Sequence, residues 1–371
     1  MKILYITTIG STMDFFLSFI KELLDEGHTV DIASNFEERK VSECYYQWGC
    51  RVYPIATSRS PFSTGNIKAV AQIRKLVEEG NYDIVHCHTP IAAACTRLAC
   101  RNLRKKGVKV IYTAHGFHFY TGAPLKNWLI FYTIEKLCAA WTDALITINK
   151  EDYRRAQEKF RACKVAYVPG VGIDVTKFSD TRIDRAVKRR ELGVPEDAFL
   201  LCSVGELNDN KNQEVIIRAV AQMNRQDIHY ILAGKGDKKD DLIQLARELG
   251  VEKQVHLLGY RLDANELYKA SDLFVFSSIR EGLPVSVMEA MAAGLAVVSS
   301  DNRGCRDLID ADRGTLCDPH DAAAFAREIK AHYDDRAYSQ TIGEANTQWV
   351  QRLDKSVINK EMKGIYQDAI S

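Results

Sequence analysis

At 371 residues with 46% hydrophobic content, the chain is long enough to bury two cores, so two domains are expected. No apolar stretch approaches the length of a membrane span, and the opening MKILYITTIG alternates like a first strand rather than a signal peptide, so neither an integral membrane protein nor an exported one is expected. The formal net charge of +1 divides into 23 Lys and Arg against 16 Asp and Glu through Tyr167, and 27 against 33 beyond it, which points the first half toward an anionic partner.

In chain order, apolar runs predict strands over 3–7, 29–33, 83–87, 109–113, 144–148 and 165–168. Between them lie amphipathic helical patterns over 14–26, 66–79, 91–106 and 151–160, and a long aromatic one over 125–141. Pro and Gly then cluster without helical period in VPGVGIDVTKF, residues 168–178. The pattern restarts after a charged helix over 182–192, with strands over 199–204, 229–233, 254–258, 272–278, 296–300 and 315–317 and helices between them. Strands alternating with helices of this length mean doubly wound parallel sheets. The expected division is a first domain over 1–168, a linker over 169–178, a second domain over 179–350 and a terminal helix over 351–371 that packs back on the first domain. Ten cysteines without a CxxC pair, with Cys87, Cys95, Cys100 and Cys202 in apolar surroundings, fit buried reduced thiols and a cytoplasmic setting.

The stretch over 280–294, REGLPVSVMEAMAAG, reads as loop and buried helix between two interior strands, with Pro284 suited to the first turn and Gly294 to the position past the end. Glu281 falls on the loop and Glu289 in a helix that is apolar almost all round. Two readings stay open for Glu289. It belongs either to a narrow solvated stripe with Ser286 and Ala293, or to a ligand site at the carboxyl ends of the strands, where helix N-termini offer N–H groups to an anion. Lys211, in GELNDNK after the strand over 199–204, is a phosphate contact or a surface lysine. Gly234 to Asp237, GKGD, repeats the theme or simply makes a tight turn.

The order of elements carries GHTV (27–30), VPGVGID (168–174), VGEL (204–207) with Lys211, AGKGD (233–237), HLLGYRLD (256–263) and Glu281 followed eight residues later by Glu289. Together these resemble family 4 of the retaining glycosyltransferases over nearly the whole chain. HCHTPIAAACTRLACR and YTAHGFHFYTGAPLKNW are similar to the subgroup that builds bacterial capsular and exopolysaccharide repeat units. The resemblance implies an α/β protein of the GT-B fold, two Rossmann-like doubly wound domains facing across a cleft.

Residue by residue, it implies that Glu281 meets the donor sugar and Glu289 the ribose hydroxyls. The backbone of Gly282 and Leu283, ahead of Pro284, would approach the diphosphate that Lys211 neutralises. Gly205, Gly234, Tyr260 and Arg261 fall in the motifs on the donor side, and Gly10 is the candidate for backbone approach in a reduced first loop. His115 maps near the donor sugar, so His115, Glu281 and Lys211 carry the positioning and electrostatic roles. Where the family usually has an arginine, this chain has Glu206, which would repel a phosphate unless Arg280 takes over the charge. His88 and His118 are placed on the acceptor side, His118 with a purely structural alternative, and His86 is expected to pack. His86, His88 and His115 lack a carboxylate or cysteine in register for a metal. Asp310-Ala-Asp312 reads as a surface turn, and no metal or other cofactor is expected.

Arg97, Arg101, Arg104 and Lys105 recur at near-helical spacing and suggest a basic face, or only a solvated one. With Trp128, Phe131, Tyr132 and Trp141 on the aromatic helix, that face suggests docking on the inner surface of the cell membrane, while most of these aromatics fit a core equally well. The activity expected is retaining transfer of a hexose or N-acetylhexosamine from a nucleotide sugar, a UDP-sugar, to a polyprenyl-diphosphate-linked saccharide, with no nucleic-acid partner. The alternatives are a decayed nucleotide-sugar-binding scaffold, motivated by Glu206, and a nucleotide-sugar 2-epimerase on the same fold.

Overall fold

The computed structural model describes residues 1–37 and 40–371. The chain divides into two compact units, residues 1–171 with 355–371, and residues 172–354. The first holds β1 (Lys2–Ile9), β2 (Thr29–Asn35), β3 (Val52–Pro54), β4 (Ile84–His88), β5 (Lys109–Ala114), β6 (Ala144–Thr147) and β7 (Lys164–Tyr167). They form one sheet in the order β3-β2-β1-β4-β5-β6-β7, every neighbouring pair parallel. The second unit holds β8 (Phe199–Val204), β9 (Ile228–Ala233), β10 (Val255–Gly259), β11 (Leu273–Phe276), β12 (Ala296–Ser300) and β13 (Gly314–Cys317), also all parallel, in the order β10-β9-β8-β11-β12-β13.

The alternation of side chains across a strand explains why these sequences read as continuous apolar runs. In the first unit Leu4, Ile6, Val85, Cys87, Val110 and Tyr112 face a core built with the helices Gly65–Gly80 and Pro90–Cys100. Their sequence neighbours Ile3, Tyr5, Ile84 and Ile111 face the opposite core, closed by the helix Leu17–Asp25 and by Ile358, Met362, Ile365 and Tyr366 of the helix Lys355–Ile370. Lys363 of that terminal helix also reaches Glu22 and Glu26, at 2.5 and 2.6 Å. In the second unit Phe199, Leu201, Tyr230, Leu232, Leu273 and Val275 pack on the helices Glu214–Met223 and Ala322–Asp334.

Each sheet reverses its winding once, between β1 and β4 and between β8 and β11. Such a reversal opens a crevice at the carboxyl ends of the two strands, where open α/β sheets hold ligands.

The structure departs from the sequence reading in three places. Strand β3 is an unexpected edge strand of three residues, short and ended by Pro54, which only an edge tolerates. The aromatic helix runs without a gap over residues 125–139, but its middle, Trp128–Tyr132, is π-helical between the α-helical Leu125–Asn127 and Thr133–Ala139. Trp128, Phe131 and Tyr132 pack against the first core, the second of the two places open to them. The expected basic face also dissolves. Arg97 is 0% exposed, its guanidinium 2.8 Å from Glu135 and 4.2 Å over the Tyr112 ring. Arg104 is clamped on Asp143, at 2.7 and 2.8 Å. The α-helix ends at Cys100, so Arg101 lies beyond it, exposed and 5.9 Å over the Trp141 ring. Spacing places residues on one face only while the helix lasts. Among the described residues no helix is long and apolar enough to cross a membrane.

Candidate functional site

In the second unit the crevice is built from the loops after β8, β9, β11 and β12. The loop after β9 lies so close to the loop after β8 that a Cβ on Gly234 would stand 1.8 Å from the Gly205 carbonyl oxygen, so only glycine fits. The loops after β8 and β11 are stitched together. Asn210 Nδ2 donates to the Arg280 carbonyl at 3.0 Å, the Ile279 amide to the Asn210 carbonyl at 2.8 Å, and Ser277 Oγ to the Lys211 carbonyl at 2.8 Å. These bonds hold Lys211 and Glu281 face to face, Nζ to Oε1 2.7 Å, with Nζ 5.2 Å over the Phe276 ring. Both side chains are partly exposed, 22% and 16%, so the pair is open to a ligand.

Beyond Glu281 the chain passes Gly282, Leu283 and Pro284 into the helix Val285–Ala292. The first-turn N–H groups of a helix have no partner within it, so this end is suited to an anion. Glu289 on that helix accepts a hydrogen bond from Tyr268 at 2.9 Å. Burial, and then the neighbouring carboxylate, push the Tyr268 phenol well above its ordinary range, so it stays a donor. Ala293 is buried while Ser286 and Glu289 are half-buried, so the stripe is open to solvent only in part.

Three further donor-side candidates have defined surroundings. Arg261 is committed elsewhere: it grips Asp263 at 2.5 and 2.8 Å and Glu191 at 2.8 Å, within a network centred on buried Lys188. Tyr260 stands 66% exposed with Lys235 Nζ 5.8 Å from its ring centre. Glu206 is exposed and accepts from Asn208 Nδ2 at 3.1 Å. The cation that sequence reasoning missed is Arg303, 6% exposed, whose Nε donates to the Glu281 carbonyl at 3.2 Å. Its position in the loop after β12, again at a strand's carboxyl end, was the available signal. Asn302 shapes that loop, accepting from the amides of Gly304 and Cys305 at 3.1 and 3.0 Å and donating to the Ser278 carbonyl at 2.9 Å.

In the first unit Gly10 is buried and opens the 3-10 turn Gly10–Phe16 after β1. His88 ends β4 and His115 follows β5; His88 Nδ1 lies 3.1 Å from His115 Nε2. His88, expected on the acceptor side, is 1% exposed and stacked under Phe16 with ring centres 4.1 Å apart, so it supports His115 from below. With Tyr5, His86 and Thr113 they line a small cavity of about 30 Å³. His86 is held by the Tyr366 hydroxyl at 2.5 Å and the Thr113 hydroxyl at 2.8 Å. Burial lowers the His115 pKa to about 4, and burial, with a smaller contribution from His115, lowers that of His86 to about 3. His88 is also held well below its ordinary range, first by burial. All three imidazoles are therefore neutral near pH 7.

His118 stacks on Phe131 at 4.6 Å, and its carbonyl accepts from Asn127 at 2.9 Å. Thr89, unremarked in the sequence, has a φ of 64°, strained for a β-branched residue, with its hydroxyl 2.6 Å from that of Thr8 across the β1–β4 reversal. Among the described residues no three His, Cys, Asp or Glu side chains are grouped to hold a metal ion. Asp310 and Asp312 share a turn in which the Asp312 amide donates to Asp310 at 3.2 Å, and Asp310 also pairs with Arg313.

Comparisons with known proteins match both units. The family described as glycosyl transferases group 1 matches residues 184–349, and that described as glycosyl transferase 4-like matches residues 2–149. A Bacillus subtilis (strain 168) protein with the provisional name glycosyltransferase EpsD is 37% identical, over 98% of this chain and 96% of that one. The UDP-Gal:alpha-D-GlcNAc-diphosphoundecaprenol alpha-1,3-galactosyltransferase of Escherichia coli is 28% identical, over 73% of this chain and 71% of that one. Among solved structures, Anabaena Alr3699/HepE in complex with UDP-glucose shares the fold at a TM-score of 0.82 and 21% identity, over 99% of this chain and 100% of that one.

Proposed function

The chain belongs to the group 1, family 4-like glycosyltransferases of the GT-B fold, and we propose that it moves a sugar from a UDP-sugar to a polyprenyl-diphosphate-linked saccharide with retention of configuration. The observation that carries this reading is the Lys211–Glu281 pair at the β8–β11 reversal, 2.7 Å apart beside a helix N-terminus. A cation and an anion so placed suit the two parts of a nucleotide sugar, an anionic diphosphate and a hydroxyl-rich ring. The Escherichia coli relative, named for a UDP-Gal donor and a diphosphoundecaprenol-linked acceptor, and the UDP-glucose complex of the Anabaena structure support these two substrates. Capsule or exopolysaccharide synthesis, at the inner face of the membrane, is the setting this chemistry fits.

In the reaction the bond between the sugar C1 and the β-phosphate oxygen breaks, and a bond from C1 to the acceptor hydroxyl oxygen forms on the same face. The hydroxyl proton passes to the departing phosphate, so no protein base is required. Lys211 and the N-terminus of the helix Val285–Ala292 stabilise the charge that grows on UDP, supplying in fixed form what a metal supplies in other transferases. Arg303, through the Glu281 carbonyl, holds the loop in register and adds a positive charge to it. Glu281 accepts from hydroxyls of the transferred sugar, and Glu289, oriented by Tyr268, accepts from the ribose diol. Within the first unit, His115, braced by His88, is a neutral hydrogen-bonding group at the carboxyl end of β5.

The test is a screen of nucleotide sugars with a short-chain polyprenyl-diphosphate sugar, read as nucleotide release and product mass. UDP release that requires the acceptor supports the reading. Release of GDP instead, or a change in sugar stereochemistry without acceptor, contradicts it.

A further inference from the structure

Gly304 lies buried in the loop after β12, with φ −74° and ψ −38°. Residues of every kind adopt that conformation, so the backbone does not ask for glycine here. The surroundings do. A Cβ on Gly304 would stand 2.7 Å from the Gly282 carbonyl oxygen, 3.0 Å from its carbonyl carbon and 3.2 Å from the Glu281 Cβ. The segment it meets is the one that carries Glu281 opposite Lys211 and leads into the helix Val285–Ala292. The two sides of this contact are held unequally. In the loop after β12 the Asn302 side chain donates to the Ser278 carbonyl and accepts from the Gly304 and Cys305 amides, the Ile309 amide donates to the Cys305 carbonyl at 2.8 Å, and Cys305 is fully buried. Glu281 is tied by Arg303 on its carbonyl and by Lys211 on its carboxylate, and both partners are long side chains that can follow a small movement.

We propose that Gly304 is a positioning residue for the Lys211–Glu281 site: its missing side chain sets how deep the Glu281–Gly282 segment sits, and with it where the Glu281 carboxylate and the approach to the helix N-terminus lie. A methyl group at Gly304 would meet backbone, not the end of a flexible side chain, so it could not be turned aside. Restoring ordinary contact takes about half an ångström or more, and the better-pinned loop after β12 leaves that movement to Glu281 and Gly282. Groups that act on a transition state work only within about half an ångström of their productive place, so a shift of this size reaches the chemistry. Gly304 thus acts through Glu281 without touching substrate. The kinetic consequence rests on the proposed transferase reading; the displacement does not.

Crystal structures of the parent and of Gly304→Ala test the displacement without any assay. The Glu281 Cα is expected to move by about half an ångström or more while the Asn302 hydrogen bonds are kept. An unmoved Glu281, or a loop after β12 that moves in its place, would overturn the proposal. UDP release in the presence of acceptor tests the consequence. In Gly304→Ala, kcat is expected to fall about tenfold to a hundredfold. In a Glu281→Gln background the same substitution should add less than about twofold, because both changes act on one group. Equal losses in the two backgrounds would mean that Gly304 supports only the fold, and would overturn the proposal. Arg303→Met frees the same segment without adding volume and should show the same non-additivity with Glu281→Gln, so the question stays open to test if Gly304→Ala does not fold; additive losses there count against the proposal. A parent that releases no UDP from any UDP-sugar would overturn the transferase reading instead, and the crystallographic comparison would then decide the positioning role alone.

Discussion

Replacing Lys211 with alanine should cost the enzyme its turnover while leaving its fold in place. Lys211 Nζ lies 2.7 Å from Glu281 Oε1, and at an effective dielectric of about 20 the gross attraction at that distance is about 6 kcal/mol. Most of it is offset by desolvation and side-chain ordering, so the loss in stability should be only about 1 kcal/mol for so accessible a pair. The departing phosphate differs, because its charge grows during the reaction and Lys211 meets that growth without reorganising. Removing one preorganised electrostatic partner of this kind costs about 3–4 kcal/mol in the transition state, hence a fall in kcat of about 10²–10³-fold. Single-turnover UDP release, with the donor saturating, reads this directly. UDP affinity by calorimetry should fall with it, because the ground-state diphosphate loses a cation as well. A kcat within twofold of the parent, with unchanged UDP affinity, would refute the assignment of Lys211 to the diphosphate.

Three further outcomes follow from the geometry of the first unit. Arg97→Ala leaves Glu135 buried without its cation and should destabilise the protein by about 3–5 kcal/mol in urea unfolding, whereas Arg97→Met with Glu135→Leu should cost much less. An equal loss in both would contradict the ion-pair account. His86 and His115 are neutral in the folded state, with pKa values near 3 and 4 against about 6.5 unfolded, so their contribution is complete above about pH 6.5 and declines as pH falls toward 4. Each should add about 1.4 kcal/mol per pH unit to the slope of stability in that window, and His86→Gln should remove one such contribution; an unchanged slope would show that His86 is already charged in the folded protein. Ending the chain at Asp354 removes Ile358, Met362, Ile365 and Tyr366 from the first unit's core, at about 1.5–3 kcal/mol each, enough to exceed the stability of a typical domain. Limited proteolysis should then digest the first unit and spare residues 172–354; equal resistance of both units would refute this.

Much of the fold is legible because interior parallel strands are buried on both faces and therefore spell continuous apolar words. β1, β4, β8 and β11 can all be read that way. β3 cannot, since three edge residues ending in Pro54 carry too little pattern to separate from a loop. The π-helical turn at Trp128–Tyr132 is invisible because it shifts the period by one residue without changing composition. For the candidate site, Lys211, Glu281 and Glu289 stand out by their places after strands and in an apolar helix. Arg303 shares the place after a strand, but its use depends on a backbone carbonyl brought beside it from the loop after β11, which the sequence does not show. Arg97 misleads for the opposite reason. Charge argues for solvent, but the partner that permits burial, Glu135, lies on a different helix and no local spacing announces it.

The most direct test of retaining transfer at the Lys211–Glu281 site is the anomeric configuration of the product, followed by proton NMR as an α-linked UDP-sugar is consumed with a short-chain polyprenyl-diphosphate saccharide. The account predicts an α-linked product, formed one for one with UDP, and its disappearance in Glu281→Ala protein that still folds. A β-linked product, or full activity in Glu281→Ala, would contradict it.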